Sequence, residues 1–264
     1  MKKTALIIAF VLSANMYSLA QKGSVIYGHK QSMGMGAPIG IDYNAVLIFD
    51  SQKSKYTFAK DSLEGKPIRE SVMINKDDDN IFFVPKSTSE LGFEYYLDRS
   101  KGLLLSRDIG FTYVKEDLPK IEWNITNEKK TIGNFDCTKA TGCFRGREYT
   151  AWFATSIPLP YGPWKLQGLP GLILEAYDTN KEVYFYFKSL EYPSKNKMKI
   201  TCPNPKTEGK DWIGLSGYKN FLINSYKTAI ENGRMFVEQN DSAMESDDSN
   251  TFMGNSYIEV FQEN

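Results

Sequence analysis

Residues 172–187 read LILEAYDTNKEVYFYF, and they hold a complete hairpin. An apolar run, Leu172-Ile173-Leu174, meets a polar turn from Asp178 to Lys181. The run Val183-Tyr184-Phe185-Tyr186-Phe187 follows. Short runs rich in branched and aromatic residues, bounded by turn formers, read as strands. The pattern recurs upstream. Phe93 to Leu97, the turn Asp98-Arg99-Ser100-Lys101-Gly102 and Leu103-Leu104-Leu105 form a second hairpin. Ala45 to Phe49 is a further run, and Tyr56 and Phe58 alternate with Lys55, Thr57 and Lys60. Ile121, Trp123 and Ile125 share one face, opposite Glu122, Asn124 and Thr126. The spacing predicts a mainly β fold: a single antiparallel meander sheet of roughly ten strands, curled into a half-barrel. Trp123, Trp152, Tyr184 and Tyr186 fall on its strands, and some are expected to line the concave side.

One segment departs from period two. Tyr218, Phe221, Leu222, Tyr226, Ala229 and Ile230 follow helical spacing, with Lys219, Asn220, Asn224, Lys227, Thr228 and Glu231 opposite. Ser216 is the expected N-cap and Gly233 the expected C-terminal stop, giving about 17 residues packed on the sheet. Residues 238–250 are polar and acidic and read as a mobile loop, and Tyr257 to Phe261 as a last strand.

The chain begins with an address. Lys2 and Lys3 precede an apolar run from Thr4 to Met16, and Ser18-Leu19-Ala20 supplies small residues before Gln21. Residues 1–20 are expected to be a cleaved signal peptide, and residues 21–264 a single β domain. The mature chain, without a transmembrane segment, is expected in the periplasm, at the outer membrane or secreted. The 32 basic and 32 acidic residues balance, which excludes a nucleic-acid partner of the usual basic kind.

An oxidising compartment permits a disulfide among Cys137, Cys143 and Cys202. In one continuous strand Cys137 and Cys143 lie about 20 Å apart, against the roughly 7 Å a bridge tolerates. Direct pairing needs a break, for which Gly142 is suited, so Cys202 is the better partner for one of them.

Residues 157–174 read IPLPYGPWKLQGLPGLIL. Pro158, Pro160, Pro163 and Pro170 fix the backbone, while Gly162, Gly168 and Gly171 free it. The stretch is expected to be a rigid crossing that delivers Leu172-Ile173-Leu174 into a buried strand. Its spacing matches neither GxGxxG nor a P-loop.

Gly168-Leu169-Pro170-Gly171-Leu172-Ile173 is, letter for letter, the hexapeptide of the GLPGLI family, which the chain resembles. The surroundings are similar too: Cys137 with Lys139-Ala140, Gly146-Arg147 with Tyr149, Ala151-Trp152-Phe153, Ile157-Pro158, and Gly162-Pro163 with Lys165. The resemblance covers about 40 residues, Cys137 to Asp178, as one long motif. Asn255 to Glu259 departs from the family's Asn-Pro-Ile-Glu ending, because Ser256-Tyr257 intervenes. The resemblance implies an exported protein of two-membrane bacteria, from a largely uncharacterised family with some members encoded beside outer-membrane transporters. It also leaves Cys143 and Cys202 outside the family pattern, which implies a Cys143–Cys202 bridge with Cys137 buried and reduced.

No residue set points to catalysis, a cofactor or a metal. His29 is the sole imidazole and an ordinary core or surface residue. Asp77-Asp78-Asp79 lacks the order of a calcium loop, and Met33 and Met35 have no His or Cys beside them. Two functions are expected of such a chain. The first is an exported, non-enzymatic binding or carrier protein of the envelope, taking an apolar or peptidic ligand, with Trp152 on a strand and Tyr161, Trp164 and Lys165 on a rim at the crossing as candidate contacts. The alternative is an interaction subunit docking on an outer-membrane transporter or secretion complex.

Overall fold

The strand that begins the fold, β1 (Gly23–Gln31), lies in the middle of the sheet. Strands β2 (Ile41–Phe49) and β3 (Lys53–Phe58) lead away from one side of it. Strands β6 (Phe93–Asp98), β7 (Leu103–Asp108) and β8 (Thr112–Asp117) continue antiparallel in the same direction. The chain then restarts at the opposite edge with β9 (Asn124–Ile132). It returns through β10 (Phe135–Phe144), β11 (Arg147–Ala154) and β12 (Leu172–Asp178) to β13 (Val183–Glu191), which pairs with β1. A separate hairpin joins β4 (Arg69–Asp77) to β5 (Asn80–Ser87), and β14 (Trp212–Gly214) adds in parallel beyond β8. Helix α1 (Asp61–Glu64) is one turn, and α2 (Leu215–Gln239) is the long C-terminal helix. The computed structural model describes residues 22–32, 40–77, 80–195, 199–239 and 257–261. The signal segment, Met33, Met35, Asp78, Asp79 and residues 240–250 of the acidic stretch lie outside these.

The fold is mainly β, as the hairpin reading predicts: twelve strands form one mostly antiparallel sheet. Its curvature follows from connectivity. Ten strand-to-strand steps separate β8 from β9, about 48 Å in a flat sheet at 4.8 Å per step. The link from Asp117 to Asn124 spans at most about 25 Å when fully extended. The sheet must therefore curl until its ends approach. It does not close into a barrel, because among the described residues no hydrogen-bonded ladder joins β9 to β14 or β8.

The crossing between β11 and β12, rather than the helix, fills the concave side. Ile157, Tyr161, Trp164, Leu166 and Leu169 are all buried there, in the same cluster as Tyr27, Tyr56, Tyr95, Tyr149 and Phe185 from the strands. Its backbone is tied down internally, Ile173 N–H donating to the Tyr161 carbonyl (2.9 Å) and Gly168 N–H to Pro160 (3.1 Å). The Tyr27 hydroxyl donates to the Ile173 carbonyl (2.6 Å). Helix α2 instead docks at the β8 end, where Tyr218 and Leu222 pack with Val114 and Val260. It runs through Gly233 to Gln239, since a mid-helix glycine costs only about 1 kcal/mol. Two further expectations are corrected. Residues 118–123 form no strand, so Trp123 precedes β9 and its indole donates to the Gln167 carbonyl (2.9 Å). Tyr257 to Phe261 form no strand either.

His29 points inward and is buried against Phe58, with ring centroids 3.9 Å apart. Gln31 Nε2 lies 3.0 Å from its Nε2, and the Tyr56 hydroxyl 3.1 Å from its Nδ1. Burial lowers its pKa to about 3. The folded ring is thus neutral, and stability falls as pH drops below about 6.5, where only the unfolded chain takes up the proton.

The hexapeptide glycines carry distinct constraints. Gly168 has φ of +99°, a left-handed conformation that side chains disfavour. Gly171 has an ordinary φ, but a Cβ there would collide with the Ala154 carbonyl oxygen. Gly171→Val is therefore expected to destabilise the fold by at least about 1–3 kcal/mol. Denaturant midpoints of the purified variant and wild type measure this, and equal midpoints would contradict the close approach.

Candidate functional site

The ends of the curled sheet meet at a seam, and ionised side chains meet there. Lys165, from the crossing, is buried with its Nζ 2.9 Å from Glu259 Oε1, 3.3 Å from Glu116 Oε1 and 3.4 Å from Asp108 Oδ2. Glu116 comes from β8 and Asp108 from the end of β7. Register places Leu104 opposite Glu116 and Ser106 opposite Val114, so these carboxylates share the inward face. Arg145 arrives from the opposite end of the sheet, pairing with Glu116 and placing Nε 3.2 Å from Glu259. It occupies the two-residue turn between β10 and β11, where Arg145 and Gly146 both have positive φ, as a tight hairpin of primed type requires.

Aromatic rings complete the enclosure. Lys165 Nζ lies 5.6 Å from the Tyr95 ring and 5.4 Å from that of Tyr218, and the Tyr95 hydroxyl donates to Asp108 Oδ1 (3.1 Å). Burial alone would lower the Lys165 pKa, but Glu259, Asp108 and Glu116 outweigh it and hold the ammonium above its usual value. Its stabilising contribution is therefore complete below about pH 10.5 and is lost only at higher pH. Burial lifts Glu259 above the usual carboxylate range, with Lys165 opposing. A cleft of about 520 Å³ opens beside this cluster and shares Glu116 and Arg145 with it.

The expected rim is thus an interior. Tyr161, Trp164 and Lys165 are each at most 4% exposed, because the crossing turns inward to fill the curl. Trp164 adopts φ of +55°, a strained conformation for an aromatic residue. Its ring is packed by Phe144 (5.6 Å) and Tyr149 (6.3 Å). The structure has no Cys143–Cys202 bridge: all three thiols are free, Cys137 buried and the other two exposed. Cys143 lies on β10, whereas Cys202 lies near Tyr96 on β6, seven strands away in the sheet order. Among the described residues no group of His, Cys, Asp and Glu could hold a metal.

Trp152 lies apart from the other three, on the outer face. Strand parity explains the split: Val183 and Phe185 of β13 face in, so Tyr184 and Tyr186 face out. Tyr177 is in register with Tyr184, their rings edge to face at 5.9 Å, and Tyr184 continues to Tyr186 at 5.4 Å. Tyr186 lies over Gly28, where any Cβ would strike its ring, and donates to Asp42 Oδ2 (2.6 Å). Lysines lie over these rings: Lys130 is 4.4 Å from Trp152, Lys181 5.3 Å from Tyr177 and Lys188 5.4 Å from Tyr186.

Comparison with known proteins adds little chemistry. A family described as "Protein of unknown function (Porph_ging)" matches residues 145–175, from the Arg145 turn through the crossing into β12. No curated protein matches the chain. Two solved structures of PNGF-II, in space groups P21 and C2, are similar with a TM-score of 0.47 and 16% identity over 76% of this chain. The chain spans only 33% and 32% of those two chains.

Removing one member of a buried ion cluster strands the others. Lys165→Met is expected to lower stability by about 3–5 kcal/mol, because Asp108, Glu116 and Glu259 then lose their shared counter-ion. Adding Glu116→Gln and Glu259→Gln to that variant should recover part of the loss. Urea unfolding of the variants checks this, and a Lys165→Met variant as stable as wild type would contradict it.

Proposed function

We propose that the chain is a non-enzymatic interaction protein of the bacterial envelope, which docks through the outer aromatic face of β11–β13. One observation carries this reading: the half-buried Tyr177, Tyr184 and Tyr186 line one sheet face beside lysine side chains, with Trp152 buried beneath Lys130 on that face, while the concave side is filled by the chain's own crossing. Tyrosine and tryptophan are the side chains most often found at binding hot spots, since they bury large areas at low entropic cost. The filled interior favours docking over carriage of an apolar ligand in the curl. Identity of Gly168–Ile173 with the GLPGLI hexapeptide supports placing the chain in that family. The N-terminal pattern of Lys2, Lys3, an apolar run and Ser18-Leu19-Ala20 supports export. No helix among the described residues is long and apolar enough to cross a membrane. An outer-membrane transporter or envelope complex is the partner this reading favours.

Tyr177→Ala with Tyr184→Ala removes a cross-strand pair that contributes about 0.2–1 kcal/mol, so the melting temperature should shift by only a few degrees. Mild extraction and mass spectrometry of co-purifying proteins should then show partners present with wild type and absent with the double variant. Retention of the same partners by a folded double variant would defeat the reading.

A further inference from the structure

Residues Tyr257 to Phe261 are held as a ligand is held. They follow residues 240–256, which separate them in sequence from the end of α2, and they form no strand. Arg147 grips their backbone, Nε donating to the Ile258 carbonyl (3.0 Å) and Nη2 to that of Tyr257 (2.8 Å). Val260 N–H donates to the Arg145 carbonyl (2.9 Å), and Gly146 lets the Val260 carbonyl approach where a Cβ would block it. Ile258 and Val260 are buried on either side of the fully buried Glu259. The backbone contacts ask only for an extended chain, while the pockets ask for a branched residue, a carboxylate and a second branched residue.

The groove does not need this occupant for charge balance. Without Glu259, Lys165 still faces Asp108 and Glu116, and Arg145 still pairs with Glu116. Arg147 still pairs with Asp178 (2.6 Å) and Glu182 (3.5 Å). Lys165 and Arg145 against Asp108 and Glu116 sum to zero, so Glu259 enters a site that is already balanced. A cleft of about 520 Å³ lined by Glu116 and Arg145 opens beside the groove.

We propose that the seam between β8 and the β10–β11 turn is a peptide-binding groove for an extended segment bearing one carboxylate between branched apolar residues, occupied in this structure by the chain's own residues 257–261. A partner presenting such a segment docks by displacing them. The groove is separate from the outer aromatic face and goes beyond that reading.

The test titrates a fluorescein-labelled acetyl-Tyr-Ile-Glu-Val-Phe-amide peptide against full-length wild type and full-length Glu259→Lys. In that variant the introduced ammonium faces Lys165 and Arg145 and expels the resident segment. Saturable binding to the Glu259→Lys chain is expected, with wild type about tenfold weaker or more because its own segment competes. A peptide with Gln in place of Glu should bind about tenfold to hundredfold more weakly, as loss of a charged hydrogen bond implies. The Tyr177→Ala, Tyr184→Ala pair combined with Glu259→Lys should leave peptide affinity unchanged, which separates the groove from the outer face. The proposal is overturned if a cooperatively melting Glu259→Lys chain shows no saturable binding, or if the Glu and Gln peptides bind equally. It is also overturned if Glu259→Lys does not fold, because the segment is then part of the core.

Discussion

An ammonium enclosed by three carboxylates is the constraint on which the rest of the structure depends. Lys165 belongs to the crossing, Asp108 and Glu116 to one end of the sheet, and Glu259 to the C-terminal segment. Arg145 adds the turn at the opposite end. Moving each ion out of water costs several kcal/mol, and for Lys165 and Arg145 that cost is offset by Asp108 and Glu116 already, with Glu259 adding to a balanced site. Curvature of the sheet and entry of the crossing are therefore coupled, and the tail seats on the seam they form. Twist and the short link from Asp117 to Asn124 bring the ends near, and the ion cluster selects the distance at which they stop.

Filling the curl from within divides the surface by strand parity. Inward side chains meet the crossing, so the concave side offers little room, and outward ones carry whatever recognition the sheet performs. That is why Tyr184 and Tyr186 lie outside while Val183 and Phe185, each one residue away, lie in the core. The seam is the exception, because there the polar interior reaches the surface between two sheet ends.

The two hairpins were legible because period two, turn residues and apolar runs are local signals, and the observed strands at 93–108 and 172–191 follow them. The crossing was legible as rigid and irregular from its prolines and glycines, but its direction was not. Tyr161, Trp164 and Lys165 have the residue types of a rim and of a core alike, and a lysine between Trp164 and Leu166 suggests exposure. Its burial depends on Asp108, Glu116 and Glu259, which lie 57, 49 and 94 positions away along the chain. No spacing rule connects residues so distant. The period-two reading of 121–126 holds only from Asn124, because Trp123 turns to the Gln167 carbonyl before β9 begins. The expected Cys143–Cys202 bridge came from family pattern alone, and the two thiols are free and exposed.

The coupling can be measured directly as a distance across the seam. Spin labels on Cys143 of β10 and on Lys115→Cys of β8, in a chain with Cys202→Ser, would report it by electron double resonance. Both positions are exposed, while Cys137 is buried. Wild type should give one narrow distance distribution. Lys165→Met, at a temperature where circular dichroism shows it folded, should give a broader distribution shifted to longer distances. An unchanged narrow distribution in the folded variant would contradict the claim that the buried ion cluster holds the sheet ends together.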